Sequence, residues 1–73
     1  MKPRYVKDWT TVTGASVEIR LQGTPVDNGL VDAVTNDGTI LWVQNPAQTR
    51  KLYEKTEYYE TWVIEEPTGP HGL

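Results

Sequence analysis

The chain has no cysteine and no phenylalanine, and only one histidine, one methionine and one serine. Without cysteine, neither a disulfide nor a thiolate metal site is available to support a small fold. The same absence fits a reducing compartment. No stretch approaches the roughly 20 consecutive apolar residues of a membrane helix, and the first residues lack the apolar run of a signal peptide. The expectation is therefore a cytoplasmic protein with no membrane association. Seventy-three residues allow one hydrophobic core; a chain of this size buries about 60% of its unfolded surface, so its stability is modest.

These scarcities also bear on catalysis. His71 sits among Pro67, Gly69, Pro70 and Gly72, where nothing locks its orientation, as a catalytic group requires. Ser16 has no base near it in sequence. The four aspartates and six glutamates fall mostly on the polar side of strand-like segments or in turns, where solvated charge accounts for them. Asp27, Asp32 and Asp37 are too widely spaced for a calcium loop, whose ligands alternate. Gly23, Gly29 and Gly38 belong to separate turns and make no phosphate loop. No enzyme, metal or cofactor is expected.

What the chain does have is β-sheet pattern. Residues 29–44 read as two strands joined at Asn36-Asp37-Gly38, with Val31, Val34, Ile40, Trp42 and Val43 suited to a half-buried pleated surface. A two-residue Asp37-Gly38 turn sets Val34 opposite Leu41. Strict alternation leaves neither face of the first strand purely apolar. A bulge near Asp32–Ala33 resolves this by putting Val31, Val34, Leu41 and Val43 inward, and Ile40 and Trp42 outward. Ahead of the hairpin, Val17, Ile19 and Leu21 alternate with Glu18, Arg20 and Gln22 as a strand with one wet face. Gly23 to Asn28 reads as a loop. Residues 1–13 read as an irregular segment or short edge strand, with Trp9 capping one end of the core.

After the hairpin, Asn45-Pro46 resembles a helix start, but no helical apolar stripe follows, and one turn at most is expected. Arg50–Lys55 and Glu57–Ile64 read as two more strands, the second with Tyr59, Thr61 and Val63 inward and Tyr58, Trp62 and Ile64 outward. The domain is assigned to 1–65, and 66–73 to a flexible tail.

The pattern Gly29-x-Val31-x-x-Val34-x-x-Asp37-Gly38-x-x-Leu41-x-Val43, preceded by Val17-x-Ile19-x-Leu21, resembles small Src-homology-3-like and Sm-like proteins. There a strand enters, a loop follows and a long bent hairpin supplies most of the barrel. The resemblance covers residues 14–64 and implies an all-β, five-stranded, strongly bent barrel. The Arg-Gly-type turn of the RNA-binding Sm signature is missing. So are the acidic loop and tyrosine-rich groove of proline-peptide binders. Such barrels host many functions, so the likeness bears on fold alone. The chain also resembles small proteins of bacteria and phages.

The net charge is −3. It is uneven: residues 1–20 are net positive through Lys2, Arg4, Lys7 and Arg20, and Arg50 and Lys51 form a second small basic cluster. Three tryptophans and four tyrosines supply aromatic surface with polar handles. Two function classes follow. The first is a binding module for a protein or peptide, with Ile40, Trp42, Arg50, Lys51, Tyr53, Tyr58 and Trp62 as the candidate contact residues. The second is an Sm-like nucleic-acid binder using the Lys/Arg clusters, against which the acidic total argues. Set against both is the reading that Trp42 and Trp62 close the barrel ends or lie beneath Tyr5 and Trp9. The sequence leaves the oligomeric state open.

Overall fold

A computed structural model of the chain describes residues 2–67. Six strands form one antiparallel sheet: β1 (Arg4–Val6), β2 (Ser16–Leu21), β3 (Thr24–Val34), β4 (Ile40–Gln44), β5 (Arg50–Glu54) and β6 (Tyr59–Glu65). Their order is β1-β6-β2-β3-β4-β5, so β1 and β5 are the edges. The all-β expectation holds. The five strands expected are six in an open sheet, because residues 4–6 add an edge strand against β6.

The sheet curls around a core of Val6, Trp9, Val12, Ala15, Val17, Ile19, Val31, Leu41, Val43, Tyr53 and Val63, with Thr61 buried among them. Every inward position expected in β2, β4 and β6 is on the core side. Their alternation is strict, and a pleated strand offers only two faces. Leu21 and Tyr59, near the strand ends, are half-buried.

The central strand explains the curl. β3 is 11 residues long, its first part pairing with β2 and its last part with β4. Between Val31 and Ala33 the register with β4 shifts by one residue, and Asp32 is the extra one. This is the bulge that the mixed faces of residues 30–35 required, and it bends the strand. Gly29 sits where β4 turns away: a Cβ there would stand 2.3 Å from the Gln44 carbonyl oxygen. Only glycine permits that approach.

Two local readings are corrected. The expected loop at 23–28 is mostly strand, because Gln22 and Gly23 alone make the turn, both with positive φ (53° and 81°). That is the primed geometry matching strand twist. Pro25 is tolerated because this part of β3 has a ladder partner on one side only, as an edge strand does. At the central hairpin the turn is wider than Asp37-Gly38. Thr35 N–H donates to the Ile40 carbonyl and Gly38 N–H to that of Thr35, leaving a four-residue loop with only Gly38 left-handed. The Val34–Leu41 pairing survives, because widening the loop removes one pair without shifting the others. Within residues 1–13, read as irregular or a short edge strand, β1 is followed by a 3₁₀ turn, Trp9–Thr11, capped by Asp8, whose carboxylate accepts from Thr10 N–H at 3.0 Å.

That turn plugs one end of the core. Trp9 is 1% exposed, and Val12 and Ala15 follow it inward. Gly14 and Ala15 exchange hydrogen bonds with Val31 beside the bulge, both 2.9 Å. At Asn45 the helix-like start gives a turn and no helix: its Oδ1 accepts from Ala47 and Thr49 N–H. Of the expected flexible tail, only Glu66 and Pro67 are described, and Glu66 pairs with Arg4 at 2.8 Å. Thr68 to Leu73, His71 included, lie outside the described residues.

Candidate functional site: the outer sheet face

Alternation that buries Leu41 and Val43 turns Ile40, Trp42 and Gln44 outward. Trp42 stands between Ala33 of β3 and Leu52 of β5, which makes a short apolar row across three strands. Leu52 is 46% exposed, and Ile40 lies on the same face, opposite Glu54. The bulge contributes chemistry as well as curvature. By absorbing Asp32 as an extra residue it sets this carboxylate beside the row, where it accepts from Arg50 Nε at 2.6 Å. The Arg50 guanidinium thus lies 5.4 Å from the Trp42 ring centre, a cation–π arrangement.

A second aromatic cluster occupies the far side of the same face. Trp62 of β6 packs on Tyr5 of β1, ring centres 5.3 Å apart, and the Arg20 guanidinium covers its ring at 4.2 Å. Glu60 accepts from the indole N–H at 3.1 Å, and Glu18 pairs with Arg20. β2 and β3 lie between β6 and β4, a span of about 14 Å at ordinary strand spacing. A groove of about 330 Å³ has Leu30, Gln44, Pro46 and Ile64 among its walls and takes in no residue of either cluster.

The seven candidate residues therefore divide. Ile40, Trp42 and Arg50 come together. Trp62 belongs to the second cluster, where Tyr5 covers it in part. Tyr58 stands alone, 79% exposed, at the left-handed end of a 3₁₀ turn (Lys55–Glu57). Lys51 lies on the core side of the edge strand, opposite Val43, yet exposed. Tyr53 is corrected from outward to inward: it is 7% exposed, opposite Leu41, and edge-on to Tyr59 with ring centres 4.9 Å apart. Its hydroxyl donates to Asp27 Oδ2 at 2.5 Å. Burial first, and then this bond to a carboxylate, raise its pKa above the usual phenol value.

Sequence reasoning missed Leu52, Asp32, Tyr5 and Arg20 as parts of this face. Reading Tyr53 as a contact residue sent Leu52, which alternates with it, to the wrong face. Tyr5 and Arg20 become neighbours of Trp62 only through strand pairings that local pattern does not encode.

All three arginines carry a carboxylate partner: Arg4 with Glu66, Arg20 with Glu18 and Arg50 with Asp32. Lys55 donates to the Lys7 carbonyl and lies 5.6 Å from the Trp9 ring centre. Among the described residues no group of three or more His, Asp or Glu side chains is placed to hold a metal ion, and no helix is long and apolar enough to cross a membrane. Comparison with protein-family models, curated proteins and solved structures finds no match for the chain.

Proposed function

We propose that this protein is a small, non-catalytic, cytoplasmic binding module that engages a protein or peptide through the Trp42 side of its outer face. The observation that carries the reading is the row Ala33–Trp42–Leu52 with Ile40 beside it: apolar side chains on the wet side of a sheet, rimmed by the Arg50–Asp32 pair. An apolar centre with a polar rim is the anatomy of a protein contact, and Trp and Arg are its commonest anchors. For the fold, the reading keeps the Src-homology-3-like or Sm-like likeness for β2 to β6, with β1 as an addition. The bent β3, shared between two halves of the sheet, supports it.

The nucleic-acid reading draws on the two guanidinium–tryptophan stacks, since aromatic platforms with cations bind single strands. The paired carboxylates weigh against it, because each neutralises an arginine that a phosphate would need. Titration of ¹⁵N-labelled protein with peptide pools and with oligonucleotide pools separates the readings. Shifts at Ala33, Ile40, Trp42 and Leu52 with peptides, little changed by salt, support the protein partner. Salt-sensitive shifts with oligonucleotides alone overturn it.

A further inference from the structure

Among the described residues β5 is a free edge, and its sequence is complementary to itself. The ladder with β4 fixes which backbone groups remain unpaired. Asn45 N–H donates to the Thr49 carbonyl at one end, and Lys55 N–H to the Thr39 carbonyl at the other. The register between them runs without a shift. Bonded pairs alternate along an antiparallel ladder, so Lys51 and Tyr53 face β4, while Arg50, Leu52 and Glu54 direct N–H and C=O away from the sheet. No described strand takes them up, and all three side chains are exposed. The other edge differs: β1 has only three residues, a common way to blunt an edge.

We propose that the chain forms a two-fold homodimer by antiparallel β5–β5 pairing centred on Leu52, joining two sheets into one. This concerns the strand edge and stands independently of any partner for the outer face. Because the free groups belong to even-numbered residues, only a few registers satisfy them. Centring on Lys51 or on Tyr53 opposes lysine to lysine or brings Lys51 opposite Lys55. Centring on Arg50 or on Glu54 sets like charges against each other. Centring on Leu52 sets Arg50 opposite Glu54 of the second copy, twice by symmetry, with Leu52 against Leu52 and Lys51 against Tyr53. Opposite charges directly across a strand pair stabilise it and like charges destabilise it. Arg50 bonds Asp32 through Nε, which leaves its two terminal nitrogens for the second copy. The same register makes the rows Ala33–Trp42–Leu52 of both copies continuous, the self-complementary patch a two-fold interface requires.

Sedimentation across a concentration series of the full chain, with amide hydrogen exchange on the same samples, tests this. The mass should rise from 8.3 kDa toward twice that value, and exchange at Arg50, Leu52 and Glu54 should slow in step. Glu54→Arg should weaken association roughly tenfold through two like-charge contacts, and Leu52→Lys should abolish it. The decisive sample mixes Glu54→Arg chains with Arg50→Glu chains: each alone is repelled, while together they should form a mixed dimer. Far-UV circular dichroism of each variant verifies folding, and the wild-type exchange data need no variant. A wild-type mass fixed at 8.3 kDa overturns the proposal. So does a dimer whose Leu52 amide exchanges as fast as in the dilute protein, or a mixture that associates no better than its parts.

Discussion

Thr61 is fully buried, opposite Ile19 on one side and Val6 on the other, and its hydroxyl has no hydrogen-bond partner among the described residues. A hydroxyl desolvated without a partner costs free energy that an isosteric methyl does not. Thr61→Val should therefore stabilise the domain by about 1 kcal/mol, seen as a melting temperature roughly 4–8 °C higher. A lower melting temperature would show that the hydroxyl has a partner in solution. Tyr53 is the opposite case, a buried hydroxyl that found one. Tyr53→Phe leaves Asp27 without its donor and should cost about 1–2 kcal/mol near neutral pH. The sign of its pH dependence follows from the raised pKa. The folded state favours the neutral phenol, so this stabilisation is complete below the unfolded pKa of about 10 and is lost as pH climbs above it. The stability gap between wild type and variant should narrow in alkaline denaturant titrations. A gap that is flat with pH would contradict the bond. The inward turn of Tyr53 was not legible, because alternation puts it and Leu52 on opposite faces without saying which of two large apolar residues is buried. Nor was its partner, because Asp27 lies 26 residues away and meets it only through the curl of the sheet.

At the scale of elements, β3 holds most of what the sequence disguised. Pro25, Asp27, Asn28 and Gly29 carry loop chemistry, yet they lie in strand. Pro25 loses little where one side of the ladder is open, and Gly29 is dictated by a neighbouring backbone that no local pattern reveals. The bulge at Asp32 was legible, because an apolar set can switch faces within one strand only where an extra residue breaks the alternation. Gly29→Ala should destabilise by at least ~2 kcal/mol, as overpacking against backbone does. Gly23→Ala meets nothing within 4 Å and should cost only the ~1 kcal/mol of a left-handed residue. Urea melts of the two variants check this, and the reverse ranking would mean that β4 yields at Gln44.

For the molecule as a whole, the two faces of the sheet predict different responses to the same kind of truncation. Leu41 is 0% exposed and Leu41→Ala should cost about 2–5 kcal/mol. Trp42→Ala empties a half-covered outward site and should cost clearly less, while weakening whatever association the outer face supports. Thermal melts of the pair decide it: if Trp42→Ala is the more damaging, the tryptophan row is structural and the proposed contact face is lost. The division of the candidate aromatics into two clusters and a buried tyrosine was not legible. It depends on the order β1-β6-β2-β3-β4-β5, which places β6 beside β2 across the whole length of the chain.

That order also implies a sequence of events in time. β2 to β5 are consecutive hairpins with two, five and five residues between the strand ends, so each closes cheaply. β6 must return over the entire run to reach β2, and β1 has no strand to join until β6 has arrived. The segment carrying Trp9, the largest fully buried side chain among the described residues, is expected to seal once β1 and β6 are in place. Val6→Ala should speed unfolding and leave the folding rate nearly unchanged, whereas Val31→Ala should slow folding. In stopped-flow traces the three tryptophans then serve as a clock, with Trp42 reporting the first hairpins, Trp62 the return of β6, and Trp9 the sealing of the core.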